Sequence, residues 1–127
     1  MLCIDTSSFI AYLQGDKGKD VELIDEVLSD EIGILSPVSV AELLSDFHLD
    51  PFIKKIILEL PTLPVTEGYW ERAGSLRAKI LQKGHKAGLA ETLIAQNCLD
   101  HHALLITRDK DFKIYKEIAG LRLAQAL

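Results

Sequence analysis

Two very short apolar runs, each leading into an aspartate, set the limits on the architecture. Leu2-Cys3-Ile4 ends directly at Asp5, and Ala103-Leu104-Leu105-Ile106 runs through Thr107-Arg108 into Asp109 and Asp111. Apolar runs this short, without polar alternation, fit strands buried on both faces better than helices. Such strands belong to parallel sheets whose faces are covered by helices. In sheets of that kind, binding sites form beyond the carboxyl ends of the strands, where these aspartates stand.

The rest of the chain supplies the helices. Thr6, Ser7 and Ser8 offer N-caps ahead of Phe9-Ile10-Ala11-Tyr12-Leu13. Val21, Leu23, Ile24, Val27 and Leu28 recur at helical spacing. Gly33-Ile34-Leu35 is another short strand, and Ser36-Pro37 opens a helix whose apolar stripe is Val40, Leu43, Leu44 and Phe47. A helix is expected from Pro51 to Leu58, then a short extended edge piece, Thr62-Leu63-Pro64-Val65. Thr66 is expected to cap a long helix to Gln82, with Trp70, Ala73, Leu76 and Ile80 on one side and Gly84 ending it. A helix from Leu89 to His101, a last helix after Asp111 and a short Leu121-Arg122-Leu123 strand complete the pattern. The expectation is a three-layer α/β/α fold with a mostly parallel central sheet of four to five short strands. No repeat or Gly/Ser linker divides the chain, so residues 1–127 read as one domain.

Composition narrows the function classes. Hydrophobic residues are 48% of the chain, enough for a core without disulfides or structural metal. Cys3 and Cys98 lie in apolar runs and read as reduced core residues of a cytoplasmic protein. No stretch suits a bilayer span, and the opening residues do not read as a signal peptide. The net charge of −5, from 14 basic and 19 acidic residues, argues against a simple cationic nucleic-acid binder. A metal nuclease remains compatible, because it needs clustered carboxylates and its cations reverse the local sign.

Each candidate acid has an ordinary explanation taken alone. Asp5 and Glu91 suit the positive ends of helices. Glu42, embedded in Val38-Ser39-Val40-Ala41-Glu42-Leu43-Leu44, fits a wet helix face. Asp109 and Asp111 fit turn and capping roles. Their combination is harder to explain that way. Ile4-Asp5-Thr6-Ser7, Val38-Ser39-Val40-Ala41-Glu42-Leu43, Leu89-Ala90-Glu91-Thr92-Leu93-Ile94-Ala95 and Leu105-Ile106-Thr107-Arg108-Asp109-Lys110-Asp111-Phe112 resemble, in order, the motifs of PIN-domain proteins, in particular VapC-type toxins of type II toxin–antitoxin pairs. The resemblance spans nearly the whole chain.

It implies a Mg²⁺- or Mn²⁺-dependent endoribonuclease. Its catalytic and metal-binding acids fall on Asp5, Glu42, Glu91 and Asp109, with Asp111 an outer member and Thr6 and Thr107 orienting carboxylates or water. It also implies a VapB-like antitoxin whose tail covers the site, a homodimer, and contact with DNA only through the antitoxin. One residue departs from the family pattern, which has aspartate where this chain has Glu91. That departure motivates a competing reading, a catalytically weak or inactive PIN-like module that binds RNA or protein.

Other features carry less. Lys54, Lys55, Arg72, Arg77, Lys79, Lys83 and Lys86 read first as a solvated face, whereas Arg108 and Lys110 stand beside the acid loop. Cys98, His101 and His102 invite a zinc reading but lack a second ligand pair. His85 reads as a loop residue. Phe47, Tyr69 and Trp70 read as core or interface residues. A phosphotransfer domain of receiver or phosphatase type also places aspartates after parallel strands. This chain, however, has Ser7 where such a domain would need a second acid, and no glycine-rich phosphate loop.

Overall fold

The structure, a computed structural model, describes residues 1–127. Strand β1 (Leu2–Ile4) leads into α1 (Thr6–Leu13) and α2 (Lys19–Ser29). Strand β2 (Gly33–Ile34) is followed by α3 (Pro37–Leu44), α4 (Pro51–Glu59), α5 (Tyr69–Gln82) and α6 (Leu89–His101). Strand β3 (Leu104–Ile106), a 3-10 turn (Lys110–Phe112), α7 (Lys113–Ala119) and β4 (Arg122–Leu123) close the chain. The four strands form one parallel sheet in the order β2-β1-β3-β4. The expected edge piece adds a parallel bridge, Leu35 to Thr62, with Leu63 N–H donating to the Leu35 carbonyl at 2.9 Å.

Alternation along the two central strands builds the three layers. Cys3 and Leu105 face a core made with α5, α6 and α7 through Leu76, Ile80, Ile94, Cys98 and Tyr115. Ile4 and Ile106 face the opposite core, made with α1 to α4 through Phe9, Ile24, Val27, Leu43 and Ile57. A one-residue slip would exchange the two sets, so burial on both faces fixes the register. Both cysteines are free and buried, and a hydrogen bond with Cys3 together with burial holds the Cys98 thiol well above its ordinary pKa.

Three local expectations change. Asp5, not Thr6, Ser7 or Ser8, caps α1: its extended backbone leaves the carboxylate to accept from Ser7 N–H at 3.3 Å. Thr66 does not cap α5. Gly68 adopts a left-handed conformation (φ 80°) that turns the chain so that the helix starts at Tyr69. The Thr66 hydroxyl instead accepts from Arg72 Nη2 at 3.0 Å. This later start puts Tyr69, Ala73, Leu76 and Ile80 on the buried face and leaves Trp70 exposed at 65%. Likewise α3 ends at Leu44, so Phe47 lies past the helix and is 89% exposed rather than part of its stripe.

Candidate active site

The carboxyl ends of β1 and β3 open side by side, and the chain places its acids there. Asp5 follows β1 directly, and its N–H donates to the Ile106 carbonyl at 2.9 Å, which extends the β1–β3 ladder to the site's floor. Glu42 projects from α3, Glu91 from the first turn of α6, and Asp109 from the loop after β3. Together with Thr6, Ser7, Ile10, Ala90, Ile94 and Phe112, these four acids line one cleft of about 210 Å³. Asp111 stands outside that lining, yet one carboxylate oxygen each from Glu91, Asp109 and Asp111 lie within 4.8 Å of one another.

Asp5 is the buried member, only 3% exposed. Its Oδ2 accepts from the Ser7 hydroxyl at 2.5 Å and from the Thr107 hydroxyl at 2.8 Å. Burial pushes its carboxyl above the ordinary value of 3.8, the Ser7 and Thr107 hydrogen bonds oppose that, and the charge of Asp109 adds to it. The direction follows from taking a charge out of water. Thr107, wholly buried, also accepts from Asp109 N–H at 3.0 Å, so one hydroxyl ties both strand-end aspartates together. Glu42 is exposed, as a wet-face residue would be, but the Thr6 hydroxyl donates to its Oε1 at 2.8 Å and turns it toward the cleft. Asp109 caps the 3-10 turn by accepting from Asp111 N–H at 2.9 Å.

Sequence patterns gave no sign of the brace beneath this loop. Asp20, at the start of α2 and 5% exposed, accepts from Arg108 Nε at 2.7 Å, Arg108 Nη2 at 3.0 Å and the Ser8 hydroxyl at 2.8 Å. The Arg108 hydrogen bond holds the Asp20 carboxyl below its ordinary value. Arg108 is thus engaged as a brace rather than turned out toward a substrate. Arg72 is engaged as well, with Asp100 at 2.7 Å, and Arg77 donates to the Ala87 carbonyl at 2.8 Å. A neighbouring cleft of about 280 Å³ shares Glu91 and carries His85, Lys86, Lys110, Lys113 and Asp111. The zinc arrangement is not assembled: His101 Nε2 hydrogen-bonds the Pro64 carbonyl at 2.8 Å, while Cys98 is buried beside Cys3.

A parallel α/β/α sheet with clustered acids at the ends of its central strands defines a class, and comparison identifies it. The PIN domain family matches residues 2–118, so the chain belongs to the PIN domain family. Among curated relatives, it is similar to VapC ribonuclease Mb1587 of Mycobacterium bovis and ribonuclease VapC11 of Mycobacterium tuberculosis, each 27% identical over 98% of both chains. Its fold is similar to that of VapBC-1 from nontypeable Haemophilus influenzae (TM-score 0.73, 22% identity, 98% of this chain and 96% of the other). It also matches VapBC2 from Rickettsia felis, solved with a DNA fragment from its promoter (TM-score 0.69, 21% identity, 96% of each chain).

Proposed function

We propose that this chain, acting as one domain, is a VapC-type toxin: a divalent-metal-dependent endoribonuclease that hydrolyses RNA phosphodiester bonds in the cytoplasm. The observation that carries this reading is the convergence of Asp5, Glu42, Glu91 and Asp109 on one cleft. The donor set is all oxygen, which suits Mg²⁺ or Mn²⁺ and not the softer metals. Asp5, Glu42, Glu91 and Asp109 would hold the ion, with Asp111 as an outer partner. A bound ion supplies Lewis acidity at the phosphate and a lowered pKa for water.

The residues do the rest. The Ser7 and Thr107 hydroxyls fix Asp5 before any substrate arrives, and Thr6 fixes Glu42. Water would attack phosphorus in line as the bond to the leaving ribose oxygen breaks, the water giving up a proton and the leaving oxygen taking one up from solvent. The strand flanking the cut would run over the adjacent cleft, where Lys86, Lys110 and Lys113 face its phosphates.

The relatives' names and the VapBC structures support an antitoxin partner. The groove between α1, α3 and α4, lined by Ile10, Leu13, Leu43, Leu49 and Ile53 and reaching Glu42, would receive it. A homodimer is part of the same reading, with exposed Trp70 a contact residue.

Cleavage of total RNA in Mn²⁺, with mapped ends and Asp5→Asn as control, tests the proposal. Metal-dependent cutting lost in the variant is the expected result. RNA binding without cutting would favour the inactive binding module instead.

A further inference from the structure

Glu91 occupies the third position of the helix that Gly88 caps, and its side chain turns back over that cap. A Cβ on residue 88 would lie 1.8 Å from Glu91 Oε2 and 2.8 Å from its Cδ. No side chain tolerates such an approach, so this conformer of Glu91 exists because residue 88 has no Cβ. The glycine is not needed for its backbone. Its φ of −63° and ψ of 143° are open to any residue.

The niche has fixed walls. The Gly88 carbonyl accepts from Thr92 N–H at 3.0 Å and from the Thr92 hydroxyl at 2.8 Å. Thr92 and Tyr115, both buried, are joined through their hydroxyls at 2.7 Å. Residue 88 therefore cannot back away from an added methyl group, and the Glu91 carboxylate must move instead. From the niche, that carboxylate stands within 4.8 Å of those of Asp109 and Asp111.

We infer that Gly88 is a positioning residue for the metal site: its missing side chain takes up the length of Glu91 and so sets where the carboxylate meets the ion. This rests on the metal-dependent reading above. Substitution at 88 should disturb the site only while a glutamate stands at 91, because an aspartate is too short to reach the niche.

The test is a double-mutant cycle on the full chain, with native, G88A, E91D and G88A/E91D proteins. Mn²⁺ affinity is read by electron paramagnetic resonance and calorimetry, and Tm is measured alongside. G88A should weaken Mn²⁺ binding roughly 10-fold or more, the scale on which supporting groups act on metal sites. In the E91D background the same change should alter affinity by less than about 2-fold. Any Tm loss from the poorer alanine cap should be equal in both backgrounds. Equal effects of G88A on affinity in both backgrounds, or native affinity in G88A alone, would overturn the inference while leaving the metal reading intact. A native chain that binds no Mn²⁺, or binds it as well after Asp5→Asn, would overturn both.

Discussion

The two walls of the cleft are built on different principles. Asp5 is buried and held by two hydroxyl side chains, and Glu42 opposite is tethered by a third. Glu91, Asp109 and Asp111 form a more open wall where three carboxylates crowd together, with no cationic side chain bonded to any of them. The first wall has its donors supplied by the chain's own hydroxyls. The second keeps like charges close, an arrangement that favours a cation bound between them. Geometry is therefore preset on the Asp5 side, whereas on the Glu91 side the proposed ion would complete it.

Asp5→Asn should break this contrast most sharply. It removes the buried charge, and cleavage should fall by at least about 100-fold, since even indirect metal partners cost 10–100-fold. The metal-free protein should not lose stability at pH 7. Because the folded pKa of Asp5 is raised above 3.8, its ionisation costs folding free energy, and stability falls as pH rises from 3.8 through the folded value. Tm measured against pH in chelator should show the native protein losing this increment and the variant lacking the loss. A variant that melts well below the native chain at pH 7 would refute the account of Asp5.

Thr107→Val keeps the shape but removes the hydroxyl shared by Asp5 and Asp109. Cleavage should drop roughly 10–100-fold, with about 1–2 kcal/mol lost in urea unfolding. Arg108→Ala acts below the cleft. It leaves Asp20 buried without its cation and should cost about 2–3 kcal/mol, less than for a wholly enclosed pair because Arg108 is partly open to solvent. The depressed Asp20 pKa adds stability above 3.8 that is lost as pH falls through the folded value, so the variant's acid limb should be shallower. Asp111→Asn should be the mildest change, reducing cleavage by about 2–5-fold with Tm unchanged, as suits an exposed outer acid. A larger loss than that of Thr107→Val would reverse the ranking of the two walls.

The sheet was legible because its strands are short, apolar and bounded by acids. Leu2–Ile4 and Leu104–Ile106 have no other plausible role, and the 89–101 helix matches its expected ends. The four cleft acids were legible as a set only through the resemblance of their motifs to the PIN family, since each alone was ambiguous. The phase of α5 was not, because Thr66 looks like a cap and only the left-handed Gly68 reveals the later start. The Asp20–Arg108 brace joins residues 88 positions apart, which no local pattern records. Nothing in the local pattern singles out Gly88, which simply precedes the helix at Leu89. Its importance lies in an atom it lacks, and that depends on where the Glu91 side chain points.

The central position of β1 has a consequence for timing. Strand β1 leaves the ribosome well before β3, yet it is an inner strand that pairs with β3 along Leu2–Leu104, Cys3–Leu105 and Ile4–Ile106. Asp5 waits for a hydroxyl 102 residues later in the chain. A nascent chain that ends before Leu104 has β2 and the Ser7 hydroxyl beside Asp5 but lacks β3, the Thr107 hydroxyl and Asp109. At about 5–20 residues per second, synthesis leaves an interval of several seconds in which the chain exists but its cleft does not. The acids of the cleft can therefore meet only after β3 and the loop that follows it have been made.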